Sequence, residues 1–441
     1  MAQPQTQQEA AQDLLSFLNA NPTMFHVVET VRTRLEAAGF AELCEANPWS
    51  LKPGGRYYFV RHDATIIAFV VGSGSVAEHG FRMVAAHTDS PGYKVKPLGE
   101  IQRHGFAQLG VEIYGGPIHA TWTDRDLTLA GRVYLRSPGA PWGAESRLLH
   151  IDRPLLSIPN VAIHLNRAVN DEGLKLNPQH HLPPFLFHSG EGHEGFLKQL
   201  LAEELDVDAD SILSHELYLA DTQKGVISGW KGEFIHSGRL DNQAMCHSCL
   251  GGFLQTVEEE TPWTRMAVLY DSEEIGSQTP QGADSPILAE LLERIVSQSG
   301  AGGREEYFRA CRQSVLISAD MAHGLHPNYA DKHDPQHQPR LNGGPTLKLN
   351  ANARYMTDGL GTAIFEQCCQ QAGVSCQYQV SRSDMRTGST IGPITVGQTG
   401  LRTLDVGNPM LAMHSIRETA GTADAWAMIQ TLAQFLTSDW N

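Results

Sequence analysis

Positive charge is scarce in this sequence: 33 Lys and Arg stand against 49 Asp and Glu, a formal net charge of −16 over 441 residues. With no basic tract, the chain lacks the clustered cations that hold nucleic acid or an anionic membrane surface. Long apolar runs are missing too, and none approaches the ~20 residues a bilayer-spanning helix needs. Cysteine is sparse and odd in number, at Cys44, Cys246, Cys249, Cys311, Cys368, Cys369 and Cys376. Reduced thiols in a cytoplasmic protein are expected, not a disulfide framework. The opening MAQPQTQQEAAQDLLSFL shows no basic n-region followed by a long apolar core, which again argues for a cytoplasmic location. The 41% hydrophobic and 19% charged residues are ordinary for a globular protein, and the length suggests two or three domains.

The pattern along the chain is α/β with an interruption. Val27, Val28, Val31 and Leu35 share one helical face, with Thr23 as a candidate N-cap and Gly39 as a stop. YYFV and TIIAFVV read as a pair of strands, and FRMVAA as a short buried strand ending at His87. From about Pro91 to Trp230, Gly- and Pro-rich pieces separate strand-like VEIY, LTLAGRVYL and VAIHL, with one helical pattern around Gly195–Leu205. The α/β texture then returns. RMAVLY and SVLISA are two more buried strands, stopping at Asp271 and Asp320, and helices are expected after Asp241, after Pro286 and around Trp426–Leu436. The boundaries are placed at 1–92 and 231–441 for a discontinuous α/β domain, and 93–230 for a β-rich insertion.

Three apolar strands thus stop at His87, at the Asp271–Glu274 cluster and at Asp320. In open α/β sheets, ligands bind beyond the carboxyl ends of the strands. Polar residues often follow strands merely as turns, but three such ends carrying His or carboxylate make that the weaker account. Imidazole with several carboxylates, and no cysteine cluster, fits divalent ions of the zinc, manganese or cobalt type. The residue content suggests two ions sharing a carboxylate. Asp241, at a loop-to-helix junction, suits that bridge or an ordinary N-cap. In an extended segment Glu273 and Glu274 would point in different directions, so one could ligate while the other serves as a general base.

The segments VAAHTDSPG, RLDNQ, DSEEIGSQ, SADMAHGLHPNY, GPTLKLNANARY, GSTIGPI and PMLAMHSIRE together resemble, in order, the signatures of the aspartyl aminopeptidase-type zinc metallopeptidase family. The resemblance runs from about residue 10 to the C-terminus. It implies a mixed-sheet, three-layer zinc-exopeptidase catalytic domain of the α/β class with an inserted β-rich dimerisation domain. It further implies two divalent metal ions, most naturally Zn2+ with Mn2+ or Co2+ as alternatives: His87 and Asp320 on one, Glu274 and His414 on the other, and Asp241 bridging. Glu273 matches the general base, and Asp89 the carboxylate that orients the His87 imidazole. His323, Lys348 and Tyr355 match substrate-pocket positions. His164 matches a histidine that a neighbouring subunit contributes, with a metal-ligand role as the alternative. The implied activity is removal of one N-terminal residue from peptides with a free amine, acidic residues being the family's preference, by a homo-oligomer of twelve subunits.

A related metal-dependent amidohydrolase or carboxypeptidase would use the same site, and a non-catalytic assembly or cargo protein could retain the fold. The unligated Glu273 argues against the last, because a scaffold has no need of a base. CHSC (Cys246–Cys249) has no second pair at zinc-ribbon distance and reads as helix core. The His-rich HPNYADKHDPQHQP reads as a solvated loop, and the glycines near Gly388 and Gly392 lack a phosphate-loop lysine. Arg386 and Thr387 depart from the smaller or apolar residues expected there.

Overall fold

Burial alternates along the strands in a way that dictates a covered sheet. In Thr65–Val70, Ile66, Ala68 and Val70 enter one apolar cluster while Ile67 and Phe69 enter another. Phe81–His87 divides in the same way, Val84 and Ala86 against Phe81, Met83 and Ala85. Side chains of a strand alternate in direction, so two cores require packing on both faces of the sheet. Helices Gln7–Ala20, Met24–Ala37, Leu240–Gln255, Gly359–Ala372 and Thr422–Thr437 supply one face. Ile287–Gln298, Arg304–Arg312 and the start of Ile391–Thr399 supply the other. The result is a three-layer mixed α/β structure.

The computed structural model describes residues 4–188, 194–298 and 302–439. Two units are defined by packing. The first comprises the chain up to Ser90, Gly225–Met413 and the chain from Glu418 onward; the second comprises Pro91–Lys224 and the short segment His414–Arg417.

In the first unit a nine-stranded sheet runs in the order Ala41–Glu42, Arg56–Arg61, Thr65–Val70, Thr264–Tyr270, Phe81–His87, Val315–Ala319, Arg402–Gly407, Thr346–Leu349, Gln377–Val380. The four strands from Thr264–Tyr270 to Arg402–Gly407 are mutually parallel, with Tyr270 beside His87 and Ser318 beside both Ala85 and Asp405. Their carboxyl ends therefore open at one edge of the sheet. A smaller five-stranded sheet, containing Ala322–His323 and Pro409–Leu411, lies in the same unit.

The second unit carries a six-stranded antiparallel sheet around its own core of Tyr93, Leu109, Leu129, Val133 and Leu217. Helix Phe196–Leu205 buries Leu197 and Leu201 in that core. VAIHL, expected as a strand, is instead an exposed 3-10 turn at Ile163–Leu165. Among the described residues its β-branched side chains have no strand paired beside them, and strand preference without packing partners decides little. Among the described residues no helix is long and apolar enough to cross a membrane.

Candidate metal centre

His87 is the last residue of its strand and is almost completely buried. Its Nε2 lies 3.5 Å from Asp241 Oδ1, 3.8 Å from Asp320 Oδ1 and 3.9 Å from Glu273 Oε2. Donor atoms of His87, Asp241 and Asp320 all fall within 4.8 Å of one another, as do those of His87, Glu273 and Glu274. The strand ends expected to converge do so.

Asp89 organises this edge. It is fully buried, and its Oδ1 lies 3.2 Å from His87 Nδ1. The same carboxylate accepts the backbone N–H of Glu273 through Oδ1 and that of Glu274 through Oδ2, both at 3.1 Å. His87 Nδ1 also lies 3.1 Å from the Asp89 backbone carbonyl, so one residue aims the imidazole through main chain and carboxylate, and its carboxylate pins the pair of glutamates. The expected extended geometry at this pair is not what forms. Ser272 adopts a left-handed conformation with φ 66°, and Glu273–Ile275 is a single 3-10 turn. A tight turn exposes successive N–H groups on one side, which is what a bidentate acceptor captures. Asp271 is engaged elsewhere, accepting from Ser272 Oγ and Gln281 Nε2, both at 3.0 Å.

Asp241 enters from the opposite layer. The helix Leu240–Gln255 is non-helical at Asp241 and Asn242, so Asp241 is set apart from the regular turns that follow. Its N–H donates to Glu418 Oε2 at 3.1 Å, and its carbonyl accepts from Ser90 Oγ at 2.6 Å. Asn242 ties the helix start to the Asp320 turn, donating to Ala319 O at 3.0 Å and accepting from Met321 N at 3.3 Å. Ser90, Asn242 and Glu418 were not singled out from the sequence. Cys246 packs beneath, its thiol 2.9 Å from His87 O, which accords with a core role for CHSC.

The turn after Asp320 approaches the neighbouring strand too closely for a side chain. A Cβ at Gly407 would lie 1.9 Å from Asp320 O. Gly407→Ala should cost about 1–3 kcal/mol or more as overpacking, measured by chemical denaturation, and should weaken zinc retention on dialysis. Unchanged stability and zinc content would contradict this.

Charge decides what the cluster needs. Asp89, Asp241, Glu273, Glu274 and Asp320 crowd around one imidazole, while Lys348 Nζ, itself buried, sits 3.4 Å from Asp320 Oδ2. Burial, with Asp320, Asp89 and Asp241 nearby, pushes the Glu273 carboxyl up to about 8 against the pull of His87. Glu274 rises well above the carboxylate range through burial and Asp241. Burial disfavours a charged His87, yet Asp320 and Asp89 outweigh it and raise its proton affinity. Burial would also raise Asp320, but Lys348 and His87 hold it well below the usual range. Buried like charges in such excess call for cations. Donors at about 2.0–2.2 Å from a tetrahedral zinc ion lie roughly 3.3–3.6 Å apart. The spacings around His87 are close to that, so these residues fit the ion.

Beside this cluster lies a cleft of about 310 Å³ lined by His323, His326, His333, Gln379, Arg386 and Thr387, among others. Tyr355 is buried, its hydroxyl 2.9 Å from Thr387 Oγ1, and Lys348 Nζ stands 5.4 Å over its ring. The His-rich segment, expected as a solvated loop, is a loop with one 3-10 turn at Ala330–Lys332, and several of its histidines line the cleft. His164 and His414 belong to the second unit. His164 is exposed in its turn, and His414 Nδ1 lies 3.0 Å from Gly116 O.

A buried histidine among carboxylates at the carboxyl ends of a parallel sheet defines a divalent-metal centre of hydrolytic type. Residues 17–436 match the family described as aminopeptidase I zinc metalloprotease (M18). A relative from Ectopseudomonas mendocina (strain ymp), described as Probable M18 family aminopeptidase 2, is 46% identical over 435 residues, covering 98% of this chain and 99% of the relative. The fold is similar to that in the Ape4–Nbr1 complex solved by cryo-EM, with TM-score 0.92, 36% identity, and 99% of this chain and 87% of that chain covered. It is also similar to the S. cerevisiae mApe1 dodecamer, with TM-score 0.84, 28% identity, and 96% and 95% covered. The chain belongs to the M18 family of zinc metallopeptidases, and it is accordingly a metallo-aminopeptidase, a hydrolase of peptide bonds.

Proposed function

We propose that the chain removes single residues from the free N-terminus of peptides at a centre of two divalent ions. His87 and Asp320 would hold one ion, Glu274 and His414 the other, and Asp241 both. The observation that carries the reading is the Asp89 carboxylate gripping Glu273 and Glu274 while facing His87. The number of carboxylates supports two ions, because a single tetrahedral ion takes four donors. When bound, the ions supply a Lewis acid for the scissile carbonyl and acidify a water.

Glu273 then takes a proton from the attacking water and returns it to the leaving amine. Its turn keeps it beside His87 without making it a necessary ligand, and its side chain retains 16% exposure. For the first substrate side chain, Arg382 is paired with Asp384 and Lys332 lies beside Asp331, which leaves Arg386 as the lining cation that supports acidic residues. Lys348 is held against Asp320, so Arg386 is better placed to meet an acidic side chain, with His323 and Tyr355 as further contacts.

The dodecameric mApe1 structure supports a homo-oligomer of the same kind. In the second unit Val161, Ile163 and Leu165 are exposed within one short segment, apolar side chains suited to subunit contact. His164, between two of them, would reach a neighbour's site as a substrate contact. The acidic balance of the chain and its free cysteines support a cytoplasmic setting.

Aminoacyl anilides with free and with N-acetylated amines, spanning acidic, neutral and basic side chains, test the reading alongside elemental analysis. Cleavage confined to free amines, fastest for Asp or Glu, with two zinc ions per chain is expected. One ion per fully active chain would overturn the two-ion assignment, and equal cleavage of acetylated substrates would overturn the free-amine requirement.

A further inference from the structure

Gln379 lies on Gln377–Val380, the last strand of the nine-stranded sheet, far in sequence from every residue of the metal centre. It is 5% exposed, and it pairs in register with Lys348 across the parallel Thr346–Leu349 strand. Its amide is used at both ends. Oε1 accepts the backbone N–H of His323 at 2.8 Å, and Nε2 donates to the Tyr355 hydroxyl at 3.4 Å. The same hydroxyl meets Thr387 Oγ1 at 2.9 Å, and Gln379, His323 and Thr387 all line the cleft.

The buried amide therefore links the short strand Ala322–His323 to the loop carrying Tyr355, and through the Tyr355 hydroxyl to Thr387. His323 follows the Asp320 turn, Tyr355 follows the Lys348 strand, and Thr387 lies in the glycine-rich stretch before Ile391–Thr399. None of these segments bonds to the others in any regular sheet or helix pattern at this point. The His323 N–H fixes the orientation of this buried amide, since flipping it would set Nε2 against that N–H and leave both donors without an acceptor.

We infer that Gln379 is a positioning residue of the substrate cleft, setting the spacing between His323 and Tyr355. Its side-chain hydrogen bonds go to His323 and Tyr355, and not to the residues assigned to the metals or to Glu273. Its effect should fall on substrate engagement and leave the chemical step alone. The inference rests on the reading of His323 and Tyr355 as substrate contacts.

The test uses the zinc-loaded full chain and an aminoacyl anilide series. Gln379→Met keeps the length of the side chain and removes both hydrogen bonds. KM should rise about tenfold, as expected for the loss of one or two buried hydrogen bonds, with kcat within about threefold of the parent and zinc content unchanged. Gln379→Glu restores an acceptor for the His323 N–H and one for the Tyr355 hydroxyl, and should bring KM back to within about threefold of the parent. Tyr355→Phe and His323→Ala are measured in parallel. If these two leave KM unchanged, the substrate-contact reading fails whatever Gln379 does. If they raise KM and Gln379→Met does not, or if Gln379→Met lowers kcat alone, the positioning role is overturned. Should Gln379→Met fail to fold, Gln379→Glu and Tyr355→Phe are combined: non-additive changes in KM support the link, and additive ones overturn it.

Discussion

Glu273→Gln should lower kcat by about 10²–10⁴-fold, the usual contribution of a positioned general base, while zinc content stays at the parent level. Glutamine fills the same volume and can keep the turn, because the turn is held by backbone N–H groups donating to Asp89 and not by the Glu273 side chain. What it cannot do is take a proton. Glu274 sits one residue away in the same 3-10 turn, so Glu274→Gln is the informative partner: it should release zinc as well as activity. Single-turnover rates with elemental analysis of both variants separate the roles. Loss of zinc from Glu273→Gln would make that residue a ligand, and a fall of less than tenfold would put the base elsewhere.

Asp89→Asn should reduce zinc affinity by about 10–100-fold, the range seen when the partner of a metal-binding histidine is removed, and should lower kcat further even at saturating zinc. Two separate losses produce this. The imidazole of His87 loses the carboxylate 3.2 Å from its Nδ1, and with it the charge that makes Nε2 a better donor. At the same time an amide offers one acceptor oxygen where two N–H groups need two, so the turn carrying Glu273 and Glu274 loosens. Zinc titration against a competing chelator, followed by kcat at saturation, reads the two effects apart. If saturating zinc restored the parent kcat, Asp89 would act only through His87 and the clamp on the glutamates would be without consequence.

The central strands were legible because a sheet covered on both faces leaves short continuous apolar runs, and FRMVAA, RMAVLY and SVLISA are such runs. Their ends were legible for the same reason: the run stops where the backbone leaves the core, and the stop residues are His87, Asp271 and Asp320. The pattern could not tell which stop residues face inward. Asp271 bonds to Gln281 while Glu273 and Glu274 turn to His87, a difference set by the left-handed Ser272. Asn242, Glu418 and Gln379 were invisible for another reason. Each is a polar residue whose partner lies dozens to hundreds of positions away, and pairing of that kind leaves no local trace. VAIHL shows the converse error, in which strand-forming residues stood without a strand to pair with.

The order of strands in the large sheet bears on biosynthesis. Phe81–His87 is flanked by Thr264–Tyr270 and Val315–Ala319, so it emerges from the ribosome more than a hundred residues before either neighbour. At about 5–20 residues per second, translation leaves it without either neighbour for roughly 9–37 s before residue 270 appears. Through that interval the nascent chain carries an uncovered apolar strand that calls for chaperone shelter. The metal centre likewise stays incomplete until Asp320 has been made, since His87, Asp241 and Asp320 meet only in the folded sheet.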